Sequence, residues 1–347
     1  MLKALALLLS LAAPLAAEVG GVVHPEEKFE AGQTVVWTPL FQASWDRLNG
    51  FYGGKPTKLD PPNELIEKLN HFEWDARKVM PSKGWKTWAG TATSKFLDQV
   101  NREAKEITGE QVNPFHLERE NPMAAAVFGL LDRELTFTRP FPRSEKTPLE
   151  FGVKGQKVHF FGVRGNKSGD YPVKVLAYRP SEKSHAIEIP CSDPEDAVLL
   201  YRPGSATTFA EACKVLREWR QKWDGKNRSF KEDDAWLHDD DDLRIPYVKL
   251  DATIDFKARL DSLRTYPNHT PARISRAEQV VKFTLHERGA KVQAKTSMED
   301  PFGGAPETVP RQFLYDAPFF VFLWRKDAEW PYFGAWVGDA SAMEKWK

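Results

Sequence analysis

Cysteine is rare in this chain of 347 residues, which contains only Cys191 and Cys213. Two cysteines exclude a disulfide-dense scaffold, because such scaffolds use several bridges in place of a large core. In an exported protein this pair could form one disulfide. Two separate buried thiols fit the sequence equally well, so both alternatives stay open.

Net charge is absent as well, since 49 basic residues balance 49 acidic ones. Proteins that bind nucleic acid or anionic membranes gain affinity from an excess of positive charge. We therefore expect no nucleic-acid partner. Long apolar runs are missing after residue 17. A membrane span needs about 20 consecutive apolar residues, so we also expect no membrane insertion.

The chain lacks the short motifs of common catalytic sites. It contains no Gly-x-Ser-x-Gly, His-Glu-x-x-His or Gly-x-x-x-x-Gly-Lys sequence, and its eight histidines do not recur at metal-ligand spacing. The acidic run at residues 238–242 could offer oxygen ligands to calcium. Consecutive side chains do not easily converge on one ion, so we interpret this run as a solvated loop. The sequence predicts no enzyme activity, no catalytic residue, no metal and no cofactor.

Residues 1–17 have the pattern of a secretory signal peptide. Lys3 precedes a short apolar run, and Ala16 and Ala17 are small residues suited to cleavage before Glu18. A buried N-terminal helix is the alternative interpretation. We predict an exported protein, extracellular or periplasmic, in which residues 18–347 form a single domain.

Short strands dominate the rest of the chain, with a few helices between them. Helical spacing of apolar residues predicts helices over residues 38–48, 63–72, 94–108, 208–223 and 255–263. Alternating apolar and polar residues predict strands, including residues 122–137, 157–163, 173–178, 185–190 and 243–256. This mixture predicts an α+β fold and not a doubly wound parallel sheet.

The C-terminal region, residues 277–339, has the pattern of a strand, an exposed loop and two further strands. Residues 280–287 alternate as in a half-buried strand, and residues 311–324 and 332–338 are apolar enough for buried strands. Between them, residues 291–310 are rich in Gly, Pro, Lys and small side chains and show no helical period. A loop longer than about 15 residues between two buried strands is uncommon and usually functional.

This order resembles the C-terminus of the serpins. In that family a strand ends in a Glu-x-Gly hinge, a reactive loop follows, and the chain returns through an apolar run around a Pro-Phe pair. Here Glu287 and Gly289 match the hinge, and Pro318 and Phe319 match the return. Strand patterns in the middle of the chain extend the resemblance over about residues 90–339.

The resemblance implies a serpin-like α+β fold with large, mostly antiparallel sheets, surrounding helices and an exposed C-terminal reactive loop. It also implies a protease inhibitor that acts as a suicide substrate. A target protease cleaves the loop, and the N-terminal half of the loop inserts into a sheet as a new central strand. The implied partner is therefore that protease.

An inserted strand must turn alternate side chains towards the core. From residue 290 onwards one parity of the loop is small or apolar, and the other contains Lys291, Gln293 and Lys295. This alternation is what insertion requires, although a solvated loop could show it by accident. The predicted hinge residues are Glu287, Gly289, Ala290, Val292, Ala294 and Thr296.

The scissile bond is less sharply placed. Counting forward from the hinge puts the residue before this bond near Gly303, and counting backward from Pro318 puts it near Glu307. No residue in 302–308 is basic, so we expect a protease that prefers apolar or small residues and not a trypsin-like one. The candidate scissile region contains Phe302, Gly303, Gly304, Ala305, Glu307 and Thr308.

Departures from the family pattern support a competing interpretation. The Ser-Pro-x-Ser sequence that starts the family's second helix is Thr-Pro-Leu-Phe at residues 38–41, and the histidine usual before the hinge is Lys282. Phe137 stands where the family has a tryptophan, and the family's first helix is missing or reduced to a turn. The alternative is a non-inhibitory serpin-fold binding or structural protein that has lost loop insertion.

Overall fold

The computed structural model describes residues 19–117, 119–165, 167–204, 208–226, 234–274, 276–290 and 310–347, with the backbone alone at residue 290. The predicted signal peptide and residues 291–309 lie outside these ranges. No helix within the described ranges is long and apolar enough to cross a membrane.

Local sequence signals set the ends of the helices. The Thr93 side chain accepts a hydrogen bond from the Phe96 amide at the start of the helix predicted over residues 94–108, and Gly109 ends that helix with φ +73°. Thr208 and Glu211 form a reciprocal capping box at the start of the helix predicted over residues 208–223. The α-helices of the described residues are α1 (Leu40–Phe51), α2 (Glu64–His71), α3 (Ala76–Val79), α4 (Ser94–Thr108) and α5 (Phe209–Lys222).

The helix predicted over residues 255–263 is wrong in type. The structure has a single 3₁₀ turn there, Lys257–Leu260. The preceding strand continues to Asp255 and the next begins at Leu263, so the chain between them has room only for a short turn.

Strands outnumber helices in the described residues, in agreement with the predicted α+β composition. In chain order they are β1 (Gly20–Gly21), β2 (Val35–Trp37), β3 (Lys58–Asp60), β4 (Trp85–Ala92), β5 (Asn121–Leu131), β6 (Leu135–Thr136), β7 (Leu149–Phe151), β8 (Gln156–Val158), β9 (Phe160–Arg164), β10 (Lys174–Arg179), β11 (Ser184–Pro190), β12 (Asp196–Arg202), β13 (Asp242–Pro246), β14 (Val248–Asp255), β15 (Leu263–Thr265), β16 (Pro271–Ala272), β17 (Glu278–Leu285), β18 (Gly289–Ala290), β19 (Gln312–Leu314), β20 (Phe319–Arg325) and β21 (Phe333–Val337).

The largest sheet has the strand order β1-β2-β21-β20-β12-β11-β10. Its neighbours pair antiparallel except β1 and β2, and Leu200 of β12 lies opposite Val321 of β20. The apolar run at 311–324, predicted as one strand, is two: β19 pairs with β13 in a different sheet, and β20 enters this one. Residues 315–318, which contain Pro318, connect the two.

Strand β20 separates two hydrophobic cores. Its side chains alternate between them, because successive residues of a strand point to opposite faces of a sheet. Phe319, Val321 and Leu323 belong to the larger core. The alternate residues Phe320, Phe322 and Trp324 pack in the smaller core under α5.

The two cysteines lie on opposite sides of this sheet. Cys191 belongs to the larger core and Cys213 to the smaller one, and both are free, buried thiols. The disulfide alternative is therefore wrong, because the sheet lies between the two side chains. Burial raises the pKa of Cys191 to about 12, so this thiol is not a reactive nucleophile.

Two separate antiparallel strand pairs, β4–β5 and β14–β17, complete the part of the fold that matters for the site. Helix α4 covers one face of β4–β5, where Val100 and Ala104 pack against Trp88. Helix α1 approaches β5 closely at Gly129, since a Cβ built on Gly129 would lie 2.5 Å from the Ser44 Oγ. A further sheet has the order β19-β13-β9.

Candidate functional site

Strand β17 ends in a tight turn, residues 286–289, which we call the hinge turn. His286 and Gly289 exchange both backbone hydrogen bonds, at 2.9 and 3.0 Å. Gly289 has φ +135°, and a Cβ built on it would lie 2.1 Å from the Leu135 carbonyl oxygen. Only glycine fits this position, for its backbone angle and for the contact.

The hinge turn reverses the chain into a new strand pairing. Gly289 lies opposite Thr136 and Ala290 opposite Leu135, so β18 pairs antiparallel with β6. Two further backbone bonds hold the turn, because the Phe137 amide donates to the Arg288 carbonyl and the Phe141 amide donates to the Glu287 carbonyl, both at 2.8 Å. The hinge turn is thus anchored to the segment that follows β5.

The Glu287 side chain is held from a third direction. The Tyr247 hydroxyl, 40 residues earlier in the chain, donates to Glu287 Oε2 at 2.6 Å. Burial raises the pKa of Tyr247, and the Glu287 carboxylate raises it further, so the phenol keeps its proton and stays a donor. The Arg143 guanidinium carbon lies 4.7 Å from the centre of the Tyr247 ring. No local sequence pattern marks Tyr247 as a site residue, because its contact with Glu287 joins residues 40 positions apart.

The hinge turn stands at the end of two strands that each have an unused edge. Strand β5 pairs with β4 and strand β17 pairs with β14, and within the described ranges no strand pairs with the second edge of either. Apolar side chains on these strands are exposed to solvent, with Val280 61% and Met123 93% exposed. An unpaired strand edge is a template for a further strand.

The residues at which the sequence departs from the family pattern lie before α1, on β17 and in the segment after β6. The Thr38 hydroxyl accepts a hydrogen bond from the Leu40 amide at 3.0 Å, so it is used to start α1. Lys282 is exposed on β17. Phe137 is buried and packs edge-on against Phe141.

The chain that returns from the loop is also firmly fixed. Arg311 is buried, and its guanidinium donates to both carboxylate oxygens of Asp241, at 2.7 and 3.2 Å. It also donates to the backbone carbonyls of Asp234 and Trp236. This charged, hydrogen-bonded contact holds β19 in place beside β13.

The same contact corrects the interpretation of the acidic run at 238–242. Asp241 and Asp242 are 4% and 5% exposed, so half of this run's aspartates are not solvated. Asp241 binds Arg311, and Asp242 accepts from the Arg244 guanidinium at 2.6 and 2.9 Å. Across the described part of the chain, no group of three or more His, Cys, Asp or Glu side chains is arranged to hold a metal ion.

Three of the predicted hinge residues fall within the described ranges. Glu287 and Gly289 lie in the hinge turn, and the backbone of Ala290 continues it into β18. All the other predicted site residues lie outside the described residues and stay predictions. They are the hinge residues Val292, Ala294 and Thr296 and the scissile-region residues Phe302, Gly303, Gly304, Ala305, Glu307 and Thr308.

No protein-family model matches the sequence, and no curated protein matches it. The fold, in contrast, matches solved structures over almost its whole length. A thyroxine-binding globulin complex with thyroxine is 14% identical, with a TM-score of 0.54, and the match covers 90% of this chain and 93% of that one. For human thyroxine-binding globulin complexed with thyroxine the identity is 13%, the TM-score 0.55 and the coverage 90% and 93%.

The thermophilic serpin Tengpin in its native state is 13% identical, with a TM-score of 0.52, and the match covers 94% of this chain and 98% of that one. At this identity the similarity establishes the fold alone. The chain has the serpin fold, and the predicted α+β class and the resemblance read from its C-terminus are confirmed at that level.

Proposed function

We propose that this serpin-fold chain is an exported, non-enzymatic protease inhibitor that acts as a suicide substrate. The observation that supports this proposal is the pairing of β18 with β6 after the hinge turn. The chain leaving β17 has already reversed there and entered a ladder with the segment that follows β5.

The direction of β18 fits insertion. A strand that continued beyond Ala290 in the same direction would run antiparallel to β17, from which it has just turned, and would follow the unused edge of β5. It would then supply hydrogen-bond partners to both unused edges. Each backbone hydrogen bond contributes about 1 kcal/mol, so a strand of several residues paired on two sides would stabilise the molecule strongly.

In the proposed reaction, the nucleophilic oxygen of a serine protease attacks the carbonyl carbon of a bond within residues 302–308. The C–N bond breaks, the amine leaves with a proton from the protease, and an ester joins the loop to the enzyme. Insertion of the N-terminal half of the loop then carries the acyl-enzyme away from its working geometry before water can hydrolyse the ester. The partner is a protease of apolar or small-residue preference.

The second candidate function is a non-inhibitory binding or structural role on the same fold. The departures from the family pattern at residues 38–41 and 282 favour it, because the Thr38 hydroxyl is used to start α1 and Lys282 is exposed on β17. Thyroxine-binding globulin shows that a protein of this fold binds a small molecule.

Two measurements separate the candidates. The protein is incubated with chymotrypsin-like, elastase-like and subtilisin-like enzymes, and a covalent complex is sought on a denaturing gel. The thermal midpoint of the loop-cleaved protein is compared with that of the intact protein. An inhibitor gives a complex and a sharply higher midpoint after cleavage. Absence of any complex together with an unchanged midpoint would refute the inhibitory function and favour the binding or structural role.

A further inference from the structure

Residues 343–346, which we call the bridging segment, follow β21 and connect the end of β8 to the start of β14. Lys345 forms an antiparallel bridge with Val158 of β8, and Met343 forms one with Val248 of β14. The backbone of the bridging segment is therefore fixed by two other strands. The inhibitory reaction proposed above assigns no role to this segment.

Glu344 joins the bridging segment to Tyr247, whose hydroxyl holds Glu287 in the hinge turn. The Glu344 amide donates to the Tyr247 carbonyl at 3.2 Å. Its side chain reaches the ring of the same residue through Arg143. Glu344 Oε1 accepts from Arg143 Nη2 at 2.7 Å, and the Arg143 guanidinium carbon lies 4.7 Å from the centre of the Tyr247 ring. Glu344 thus binds the backbone of Tyr247 directly and fixes the cation that packs on its ring.

The position of the Tyr247 ring decides whether its hydroxyl reaches Glu287. This hydrogen bond is 2.6 Å long and has a carboxylate acceptor, so it is stronger than a bond between neutral groups. A cation over a ring restricts the ring, because the attraction requires the cation to lie over the ring face. Loss of the Arg143 contact would free the ring to move, and the Glu287 side chain would lose its donor.

We propose that Glu344 is a positioning residue for the hinge turn, acting through Arg143 and Tyr247 on Glu287. Its consequence for inhibition rests on the proposed function, because the hinge turn begins the strand that insertion would extend. When the Glu344 side chain is lost, the hinge turn should open more often and β18 should pair with β6 less often. A larger share of loop cleavages should then end in hydrolysis instead of a covalent complex.

Amide hydrogen exchange followed by mass spectrometry measures the opening of the hinge turn without a target protease. The reporter amides are those of Phe137 and Phe141, which donate to the carbonyls of Arg288 and Glu287 and exchange when these bonds open. Partly exposed charge pairs shift an equilibrium by up to about fivefold. Because the Glu344 side chain is 48% exposed, we expect about threefold faster exchange at the reporter amides in Glu344→Ala.

Two further variants show whether the effect depends on this particular contact. Glu344→Gln should restore most of the wild-type protection, because its side-chain oxygen can still accept from Arg143. Glu329→Ala is the matched control, since Glu329 accepts from Arg217 at 2.8 Å and the Arg217 guanidinium carbon lies 5.5 Å from the centre of the Trp330 ring. This variant removes an equivalent contact on α5 and should leave the reporter amides unchanged.

A double-mutant cycle tests the route through the phenol. In a Tyr247→Phe background the hydroxyl that binds Glu287 is gone, so Glu344→Ala should cause no further increase in exchange at the reporter amides. An equal increase in both backgrounds would overturn the inference. Unchanged exchange in Glu344→Ala, or an equal increase in Glu329→Ala, would overturn it as well.

The yield of covalent complex separates this inference from the proposed function. With the proteases named above, Glu344→Ala should give about threefold less complex per cleaved loop than the wild type, and Glu329→Ala should match the wild type. Faster exchange in Glu344→Ala with no complex from the wild type would support the positioning role and refute the inhibitory function. Wild-type yields together with unchanged exchange would refute the positioning role alone.

Discussion

Gly289 is the residue on which the geometry of the hinge turn depends most directly. Its φ is +135°, and a Cβ at this position would lie only 2.1 Å from the Leu135 carbonyl oxygen, which leaves no space for a side chain. Gly289→Ala should therefore break the pairing of β18 with β6. We expect a loss of about 1–3 kcal/mol in the free energy of unfolding from the backbone angle, and more from the displaced strand.

Urea denaturation measures this loss, and Gly109→Ala is the control. Gly109 also has a positive φ, +73°, but a Cβ there would meet nothing within 4 Å. Gly109→Ala should therefore lower the free energy of unfolding by only about 1 kcal/mol. Equal losses in the two variants would contradict the close contact at Gly289.

Neighbouring residues of the loop should respond differently if insertion occurs. Ala294 has the parity predicted to face the core, so Ala294→Glu would bury an unpaired carboxylate at a cost of several kcal/mol. Each ~1.4 kcal/mol is a factor of ten, so the yield of covalent complex should fall at least about tenfold while the loop is still cleaved. Lys295→Glu, on the opposite parity, is the control and should do far less. Equal effects at both positions would exclude insertion as a strand in which Ala294 faces the core and Lys295 faces solvent.

His185 makes the stability of the protein depend on pH. Burial lowers the pKa of this histidine to about 3, with the nearby Arg202 charge as a smaller cause. Its ring packs edge-on against Tyr315 at 4.8 Å, with Nε2 unpaired. Because the folded-state pKa lies below the unfolded value of 6.5, the unfolded chain takes up the proton first as the pH falls. The contribution of neutral His185 to the free energy of unfolding is therefore fully present above pH 6.5 and is lost as the pH falls towards 3.

The loss should approach about 1.4 kcal/mol for each pH unit below 6.5. Urea denaturation at about pH 7.5 and about pH 5 measures this loss. His185→Leu should reduce the difference in the free energy of unfolding between the two pH values by about 2 kcal/mol. His71→Leu, at a side chain that is 74% exposed, is the control for the loss of a surface histidine, and only the change that His185→Leu shows beyond this control is assigned to His185. A wild-type slope retained in His185→Leu would refute the assignment.

At the scale of elements, the loop should be the most protease-sensitive part of the native protein. Residues 291–310 contain no periodic apolar residues and connect β18, which follows the hinge turn, to β19. Loops of this kind are cut first by proteases. Mild digestion followed by mass spectrometry should place the first cuts at residues 299–308. First cuts at 60–90 or 224–242, with the loop resistant, would contradict an exposed loop.

The elements themselves were predictable where their signals are local. Helix α4 begins after Thr93 and ends before Gly109 as predicted, because capping and glycine termination act within a few residues. The 3₁₀ turn Lys257–Leu260 was not predicted, since flanking strands and not local spacing limit its length. Division of residues 311–324 between β19 and β20 likewise depends on which sheet each half joins.

At the scale of the whole molecule, the first residue of the exported protein tests the proposal that a signal peptide is removed. Residues 1–17 combine a charged start, a short apolar run and small residues before Glu18. The exported protein should therefore begin near Glu18. N-terminal sequencing of exported material decides the matter, and an intact Met1 would be incompatible with cleavage.

The sequence by itself determined the α+β class, the ends of α4 and α5, and the order of strand, loop and strands that marks the serpin fold. These features depend on spacing, capping and burial along one stretch of chain. Only the tertiary structure decided the contacts between distant residues. Tyr247 meets Glu287 across 40 positions and Arg311 meets Asp241 across 70, and the sheet places the two cysteines in different cores. Such partners are selected by the packing of whole sheets, which no local pattern records.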